Sequence, residues 1–398
     1  MSVRLSHRAK AIKPSPTLTV SALAKSMIAE GIDVINFGVG EPDFNTPENV
    51  KAEAKKAIDE DFTRYTASSG IIELREAIAN KLKRDNNLEC NPNDILVSPG
   101  AKASIAFILL AVCDPRDEVI IPAPYWVSYT SQVEMVDALP VLLPTTMAND
   151  FKITAVQLEE AIKYLSSPKV LILNSPNNPT GSVYNKQELE GIAEVCLKHN
   201  ILIISDEIYE KLIYDDNEHI SIASISEEVK ENTVIINGVS KAYAMTGWRL
   251  GYAAGPTDII KSASRIQSHI TSCVNSIAQK AAIVALNSCE DSVSEMCVQF
   301  QERRNILIAE LNNIPNIKCI KPKGAFYAMP DVSYYIHNNN KNIKNSADLC
   351  EYLLKEYHIA IVPGSAFGAP GFVRFSYANS LDNIKQGLER FKRGLESL

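Results

Sequence analysis

Between residues 95 and 255, short apolar runs rich in β-branched residues alternate with stretches of helical periodicity. No other feature of the chain narrows the fold so far. The runs fall at 95–98, 118–122, 141–143, 170–174, 201–205, 234–237 and 250–254, and helical patterns occupy 101–113, 154–165 and 186–199. Runs apolar at every position suit strands buried on both faces, which predicts an α/β chain with a mostly parallel sheet covered by helices. Ligands of such sheets bind beyond the carboxyl ends of the strands, so the residues that follow each run are the ones to read for chemistry.

Around this block the pattern changes. Residues 1–45 read as irregular apart from a helical pattern at 21–30 and a short strand at 34–37, and amphipathic helices are predicted at 47–60 and 71–85. Thr46 would cap the first of these, with Pro47 in its first turn. Residues 257–313 read as long helices. The remainder mixes short strands at 325–329, 359–362 and 373–376 with helices at 346–356 and 381–396, a pattern for a smaller α+β domain. The Asn- and Lys-rich tract 337–345 reads as a solvated loop.

With 398 residues, 46% of them hydrophobic, and a net charge of −7, the chain can bury a large core and two domains. The acidic balance and scattered Lys and Arg argue against nucleic acid. The longest apolar run, 103–113, is too short to span a bilayer. The basic, serine-bearing N-terminus lacks a secretory apolar core. Eight single cysteines without a C-x-x-C pair suit reduced thiols in the cytoplasm, and the dispersed histidines offer no metal-ligand spacing.

Residues 237–252 read N-G-V-S-K-A-Y-A-M-T-G-W-R-L-G-Y. Lys241 therefore sits just past a strand end among small and apolar neighbours. Burial there disfavours the ammonium, and a partly neutral amine can form a Schiff base with a carbonyl compound. Arg249 follows with a donor fork suited to phosphate. An aldehyde-binding lysine beside a phosphate-binding arginine is what pyridoxal phosphate requires. Other strand ends supply matching parts. At 98–104 a strand–turn–helix junction leaves free backbone N–H groups at Ala101 and Lys102. Asp206 directly follows an apolar strand, three residues before Tyr209, where it is either a helix cap or a ligand group. Asn178 lies in the rigid turn 174–181. Trp126 follows Pro124-Tyr125, and Arg374 is a lone charge in an alternating strand, where it needs a carboxylate from protein or substrate.

These elements together resemble the class I, fold-type I aminotransferases that use pyridoxal 5'-phosphate, specifically the aspartate aminotransferase branch common in bacteria. The matching stretches are G-V-G-E-P-D-F (38–44), R-Y-T-A-S-S-G-I-I-E-L-R (64–75), P-Y-W-V-S-Y (124–129), N-S-P-N-N-P-T-G (174–181), S-D-E-I-Y-E (205–210), S-K-A-Y-A-M-T-G-W-R-L-G-Y (240–252) and V-R-F-S-Y-A (373–378), in the family's order. The resemblance implies a large cofactor-binding domain at 46–289 with a seven-stranded-type sheet, and a small domain built from 1–45 and 290–398. It implies that Lys241 holds the cofactor and shuttles the proton, that Asp206 pairs with the ring nitrogen, and that Tyr209 and Asn178 hydrogen-bond the ring oxygen. Trp126 would stack on the ring, while Arg249, Ser240 and the backbone of Ala101 and Lys102 grip the phosphate. Tyr65 would reach the phosphate of the neighbouring subunit, making a homodimer with shared sites. Arg374, Asn178 and the Gly40 backbone would hold the substrate α-carboxylate. Lys102 would take the distal carboxylate of an acidic donor, and Lys13 is associated with prephenate as an additional acceptor. Gly238 departs from the pattern, standing where many relatives carry a phosphate-binding serine. The expected reaction is amino transfer between L-aspartate and 2-oxoglutarate. The alternatives are a transferase for aromatic or other neutral amino acids, a β-lyase or cyclase on the same fold, and a regulatory protein that kept the fold. The last predicts an appended DNA-binding domain or lost chemical residues, whereas Lys241, Asp206 and Arg374 are all present.

Overall fold

The seven apolar runs form one sheet in the computed structural model, which describes residues 4–12, 14 and 16–398. The strand order is Ile95–Ser98, Gly251–Ala254, Thr233–Gly238, Leu202–Asp206, Pro168–Asn174, Glu118–Ala123 and Leu139–Pro144. Gly251–Ala254 runs antiparallel to both neighbours, and every other pairing is parallel. The central runs lack polar alternation because successive side chains enter two different helix layers. Val170 and Ile172 pack with Ile105, Ile108 and Ile260 of helices Ala101–Val112 and Thr257–Ile270. Leu171 and Leu173 pack with Leu158, Leu189 and Ile192 of helices Ala155–Ile162 and Lys186–Lys198. The edge strand Leu139–Pro144 carries Pro140 and Pro144 and stays partly exposed, a position where proline is tolerated.

A second body of structure joins the two ends of the chain. Ile35–Asn36 pairs in parallel with Ile359–Ala360, and Val373–Ser376 lies between Val362–Pro363 and Tyr327–Ala328 in an antiparallel three-stranded sheet. Phe37, Phe300, Phe326, Phe375, Tyr377 and Phe391 share one core there, covered by helices Glu290–Asn312, Ser346–Tyr357 and Leu381–Glu396.

Several local expectations change. The helix expected from residue 21 runs Pro16–Ala29, a further short helix spans His7–Ala11, and helix Ser128–Met135 was not expected at all. Pro47 is itself the cap residue of helix Glu48–Asp59, without a side-chain cap bond. The Thr46 hydroxyl is engaged elsewhere, donating to Ala244 O at 2.8 Å and accepting from Trp248 Nε1 at 3.0 Å. In the polar tract, His337 ends helix Ser333–His337. Asn339 Nδ2 donates to the carbonyls of Tyr335, Ile336 and Ile343, which pins the segment with Ile343 buried.

Strand Gly251–Ala254 meets the start of helix Ala101–Val112 with no room to spare. A Cβ on Gly251 would lie 2.1 Å from Ala101 N and 2.5 Å from Gly100 C, both backbone atoms. Gly251→Ala should therefore destabilise the protein by about 1–3 kcal/mol or more in urea unfolding, because neither neighbour can rotate away. Gly247→Ala, with nothing within 4 Å of its Cβ, should stay within about 0.5 kcal/mol of the native protein.

Candidate active site

The carboxyl ends of the parallel strands and the Gly38–Glu41 loop surround one cavity of about 430 Å³. Its wall includes Ala101, Lys102, Trp126, Asn178, Asp206, Tyr209, Ser240, Lys241, Arg249, Arg374 and Gly40, so candidates spread over most of the chain come together at one cavity. Tyr65 does not join them: its side chain is 91% exposed. Lys13 lies outside the described residues.

Lys241 sits three residues past the end of strand Thr233–Gly238, and its Nζ donates to Gly40 O at 2.5 Å. The rings of Tyr209 and Phe326 each have their centroid 5.9 Å from Nζ. Burial pulls the ammonium down to about 8, Arg374 and Arg249 push the same way, and Glu41 and Asp206 oppose. Roughly a tenth of the amine is then neutral at pH 7.

Asp206 ends strand Leu202–Asp206 and is 3% exposed. Residues 208–211 after it form a turn and no helix, so its carboxylate caps no helix. Oδ1 accepts the Ile208 N–H at 3.2 Å and Oδ2 accepts the Tyr129 hydroxyl at 2.6 Å. Each oxygen keeps a lone pair for a further donor. Burial raises this carboxyl to about 6, against the two hydrogen bonds that favour its charged form. Asn174, the end of the neighbouring strand, donates from Nδ2 to Asp206 O at 2.8 Å and accepts from Asn178 N at 2.8 Å, which fixes the adjacent strand ends to each other.

Arg374 is 3% exposed. Its Nη1 donates to Asn178 Oδ1 at 3.0 Å and its Nη2 to Gly38 O at 2.8 Å, while Nε is buried without a partner. Tyr327 and Phe367 flank the guanidinium, their ring centroids 4.5 Å and 4.9 Å from Cζ. The expected carboxylate is not supplied by the protein among the described residues. Two carbonyls of one loop serve the two cations: Gly38 O accepts from the arginine and Gly40 O from the lysine.

Arg249 adopts φ +53° and remains exposed, its Nη1 donating to Thr246 O at 2.9 Å. Its guanidinium lies against Gly100, where a Cβ would come within 2.5 Å of Nη2; Gly100 itself has φ +89°, a second reason for glycine. Helix Ala101–Val112 begins there with no side-chain cap, so its first amides are free to meet an anion, with the buried Ser240 also lining the cavity. Gly238 is crowded by backbone: a Cβ would lie 2.8 Å from Gly251 Cα. A serine there is incompatible with this strand pairing. Lys102 holds its Nζ 4.8 Å from the centroid of the Trp126 ring, lowered in pKa by partial burial and by Arg249.

Sequence reasoning missed Tyr129, Asn174 and Tyr327, and also Thr17, Ser21 and Lys25 of helix Pro16–Ala29 on the cavity wall. Tyr129 and Asn174 stand inside recognised motifs, but nothing local indicates that they fix Asp206. Tyr327 had no signal beyond lying in a short apolar strand.

The raised carboxyl gives a stability test. Asp206 titrates near 6 folded and near 3.8 unfolded, so between those values the folded chain binds more protons. Relative to Asp206→Asn, the ligand-free native protein should gain stability as pH falls from about 6 to about 4. Parallel pH dependence of the two urea midpoints would show that burial does not perturb this group.

The chain matches the family "Aminotransferase class I and II" over residues 32–391. It is 48% identical over 393 residues to an aspartate aminotransferase of Bacillus sp. (strain YM-2), covering 99% of both chains. It is 46% identical to an aspartate/prephenate aminotransferase of Nitrosomonas europaea, covering 98% of both. Among solved structures, the aspartate aminotransferase from Rhizobium meliloti has a TM-score of 0.95 at 40% identity over 100% of both chains. The Thermus thermophilus enzyme with maleate has a TM-score of 0.92 at 38% identity, over 99% of this chain and 100% of that one. With its fold, its cavity and its sequence in agreement over nearly their whole length, the chain belongs to the class I and II aminotransferases.

Proposed function

We propose that this enzyme transfers the amino group between L-aspartate and 2-oxoglutarate with pyridoxal 5'-phosphate as cofactor, in the cytoplasm and as a homodimer. The observation that carries the reading is a buried guanidinium, Arg374, with no acid partner among the described residues, in the same cavity as a lysine pulled down to about 8 and an aspartate raised to about 6. The donor set fits the cofactor. Uncapped amides at Ala101 and Lys102, the Ser240 hydroxyl and the Arg249 fork suit a phosphate. Asp206 has the charge and spare lone pairs to hold a protonated ring nitrogen, Tyr209 and Asn178 would face the ring oxygen, and Trp126 offers a flat face. When bound, the cofactor supplies an aldehyde for the amino group and a ring that takes up electrons from the α-carbon.

The chain's own part is to bind, orient and move protons. Arg374 and Asn178 fix the α-carboxylate, which directs the amino end toward Lys241. Lys241 Nζ, neutral in part at pH 7, would hold the cofactor through its aldehyde and, once the substrate's amino group displaces it there, would be the free amine that carries the proton taken from the α-carbon. Asp206 keeps the ring nitrogen protonated, and the surrounding aromatic wall limits water. At the mouth, Lys102 is the cation for a distal carboxylate, and relatives named aspartate aminotransferases, one of them solved with maleate, support a four-carbon dicarboxylate. Relatives named for prephenate as well favour that keto acid as a second acceptor, with Lys13 assigned to it. The exposed Tyr65 and the open hollow beside Arg249, walled by Thr46, Pro99, Trp248 and Asn275, support a second subunit completing the phosphate site. We assign 46–289 to the large domain and 1–45 with 290–398 to the small one.

The purified protein should be yellow and should convert L-aspartate and 2-oxoglutarate to oxaloacetate and glutamate. A β-lyase would instead release pyruvate or ammonia without the keto acid. Lys241→Ala should abolish transfer while retaining the cofactor; native turnover by that variant would refute the assignment. Lys102→Ala should lower kcat/KM for aspartate by about 2 kcal/mol, roughly 30-fold, the low end for a charge pair because Lys102 still reaches solvent. Alanine as donor should be spared. Equal losses for both donors would remove Lys102 from the substrate site.

A further inference from the structure

Tyr327 is 1% exposed on the short strand Tyr327–Ala328, where it pairs across the sheet with Ser376, two residues after Arg374. Its surroundings connect groups that the reaction uses separately. The Tyr327 hydroxyl lies 2.9 Å from the Tyr209 hydroxyl, and the two rings meet edge to face at 5.7 Å. The Arg374 guanidinium sits over the Tyr327 ring at 4.5 Å. On its other side the loop that holds Lys241 packs against the hydroxyl, since a Cβ on Gly40 would come within 2.8 Å of it.

Proton accounting sets the direction of the hydroxyl pair. Both phenols are buried and held above their ordinary value, so each carries one hydrogen at neutral pH. The Tyr209 proton is needed by the cofactor's ring oxygen under the function proposed above, on which this inference rests. The hydrogen between the two tyrosines must then come from Tyr327. Arg374 opposes the burial shift at both phenols, but its guanidinium lies over the ring of Tyr327 at 4.5 Å, and a cation held on that ring face makes Tyr327 the better donor. We propose that Tyr327 is a positioning residue: it donates to Tyr209, aims the Tyr209 proton at the ring oxygen, and couples the carboxylate-binding Arg374 to the cofactor alongside the direct Arg374–Asn178 bond.

A donated hydrogen bond strengthens the one that follows it in the chain, so Tyr327 favours the ionised ring oxygen. The test is the visible absorbance of the resting holoenzyme titrated against pH, with no turnover involved. Tyr327→Phe keeps the ring packing and loses one oxygen. It should raise the chromophore's apparent pKa by about half a unit or more, while Tyr209→Phe, the positive control, raises it further. Maleate, a non-reacting dicarboxylate, should raise the native value by neutralising Arg374, and raise it less in Tyr327→Phe. If Tyr209→Phe moves the titration and Tyr327→Phe leaves both the resting value and the maleate-induced rise unchanged, Tyr327 is core packing only and the inference fails. If the native holoenzyme shows no titrating visible band, the functional reading itself fails and takes this inference with it.

Discussion

A guanidinium buried without a facing carboxylate is costly, by several kcal/mol unless other groups satisfy it, and much of this architecture answers to that one group. Arg374 belongs to the C-terminal part of the chain, its acceptors Gly38 O and Asn178 Oδ1 to the N-terminal and middle parts. Supplying those acceptors obliges three distant segments to meet. Backbone bonds enforce the meeting: Phe37 N donates to Ala360 O at 2.8 Å, and Ser376 N donates to Phe37 O at 2.9 Å. The aromatic core of Phe37, Phe375 and Phe391 closes behind them. The two faces of the guanidinium are given to aromatic rings, and the buried Nε is left without a partner.

The same economy governs the turn after strand Leu202–Asp206. Asp206 and Tyr209 line the cavity, while Glu207 and Glu210 of the same turn are buried on the far side. Glu207 accepts the hydroxyls of Ser205 at 2.8 Å and Ser221 at 2.7 Å, and its other oxygen lies 3.1 Å from His219 Nε2. Glu210 pairs with Lys81 and accepts Asn86 Nδ2 at 2.8 Å. Two buried acids with full complements of donors clamp the turn from behind, and this leaves the Asp206 carboxylate little freedom to swing. The hydroxyl of Tyr129, on helix Ser128–Met135, completes the constraint.

How much of this was legible follows from where each interaction lies along the chain. The sheet was readable because burial on both faces removes polar alternation from Val170–Asn174 and its neighbours, a local signal. The site residues were readable because they stand at strand ends, where Lys241, Asp206 and Asn178 follow apolar runs directly. Tyr129 pairs with a residue 77 positions away and Tyr327 with one 118 positions away. No periodicity carries such information. Thr46 failed as a cap because a distant carbonyl, Ala244 O, competes for its hydroxyl. Helix Ser128–Met135 escaped notice because its pattern is weakly amphipathic and its buried Tyr129 and Gln132 are polar-tipped.

The electrostatics of the cavity have a direction. Burial moves Lys241 down to about 8 and Asp206 up to about 6, so one physical cause drives both groups toward neutrality. Neither shift arises chiefly from the other residue; the opposing charge is the last contribution in each case. Among the described residues, Lys25, Lys102, Lys241, Arg249 and Arg374 face only Glu41 and Asp206 on the cavity wall. A wall with this excess of cations is stabilised by an anionic ligand. Phosphate at the Ala101 helix end would raise the Lys241 pKa by Coulomb attraction. The Asp206 pair with a cationic ring nitrogen would lower its own pKa, opposite to burial. A phosphate and a cationic ring nitrogen would thus oppose, at both groups, what burial imposes on the protein by itself.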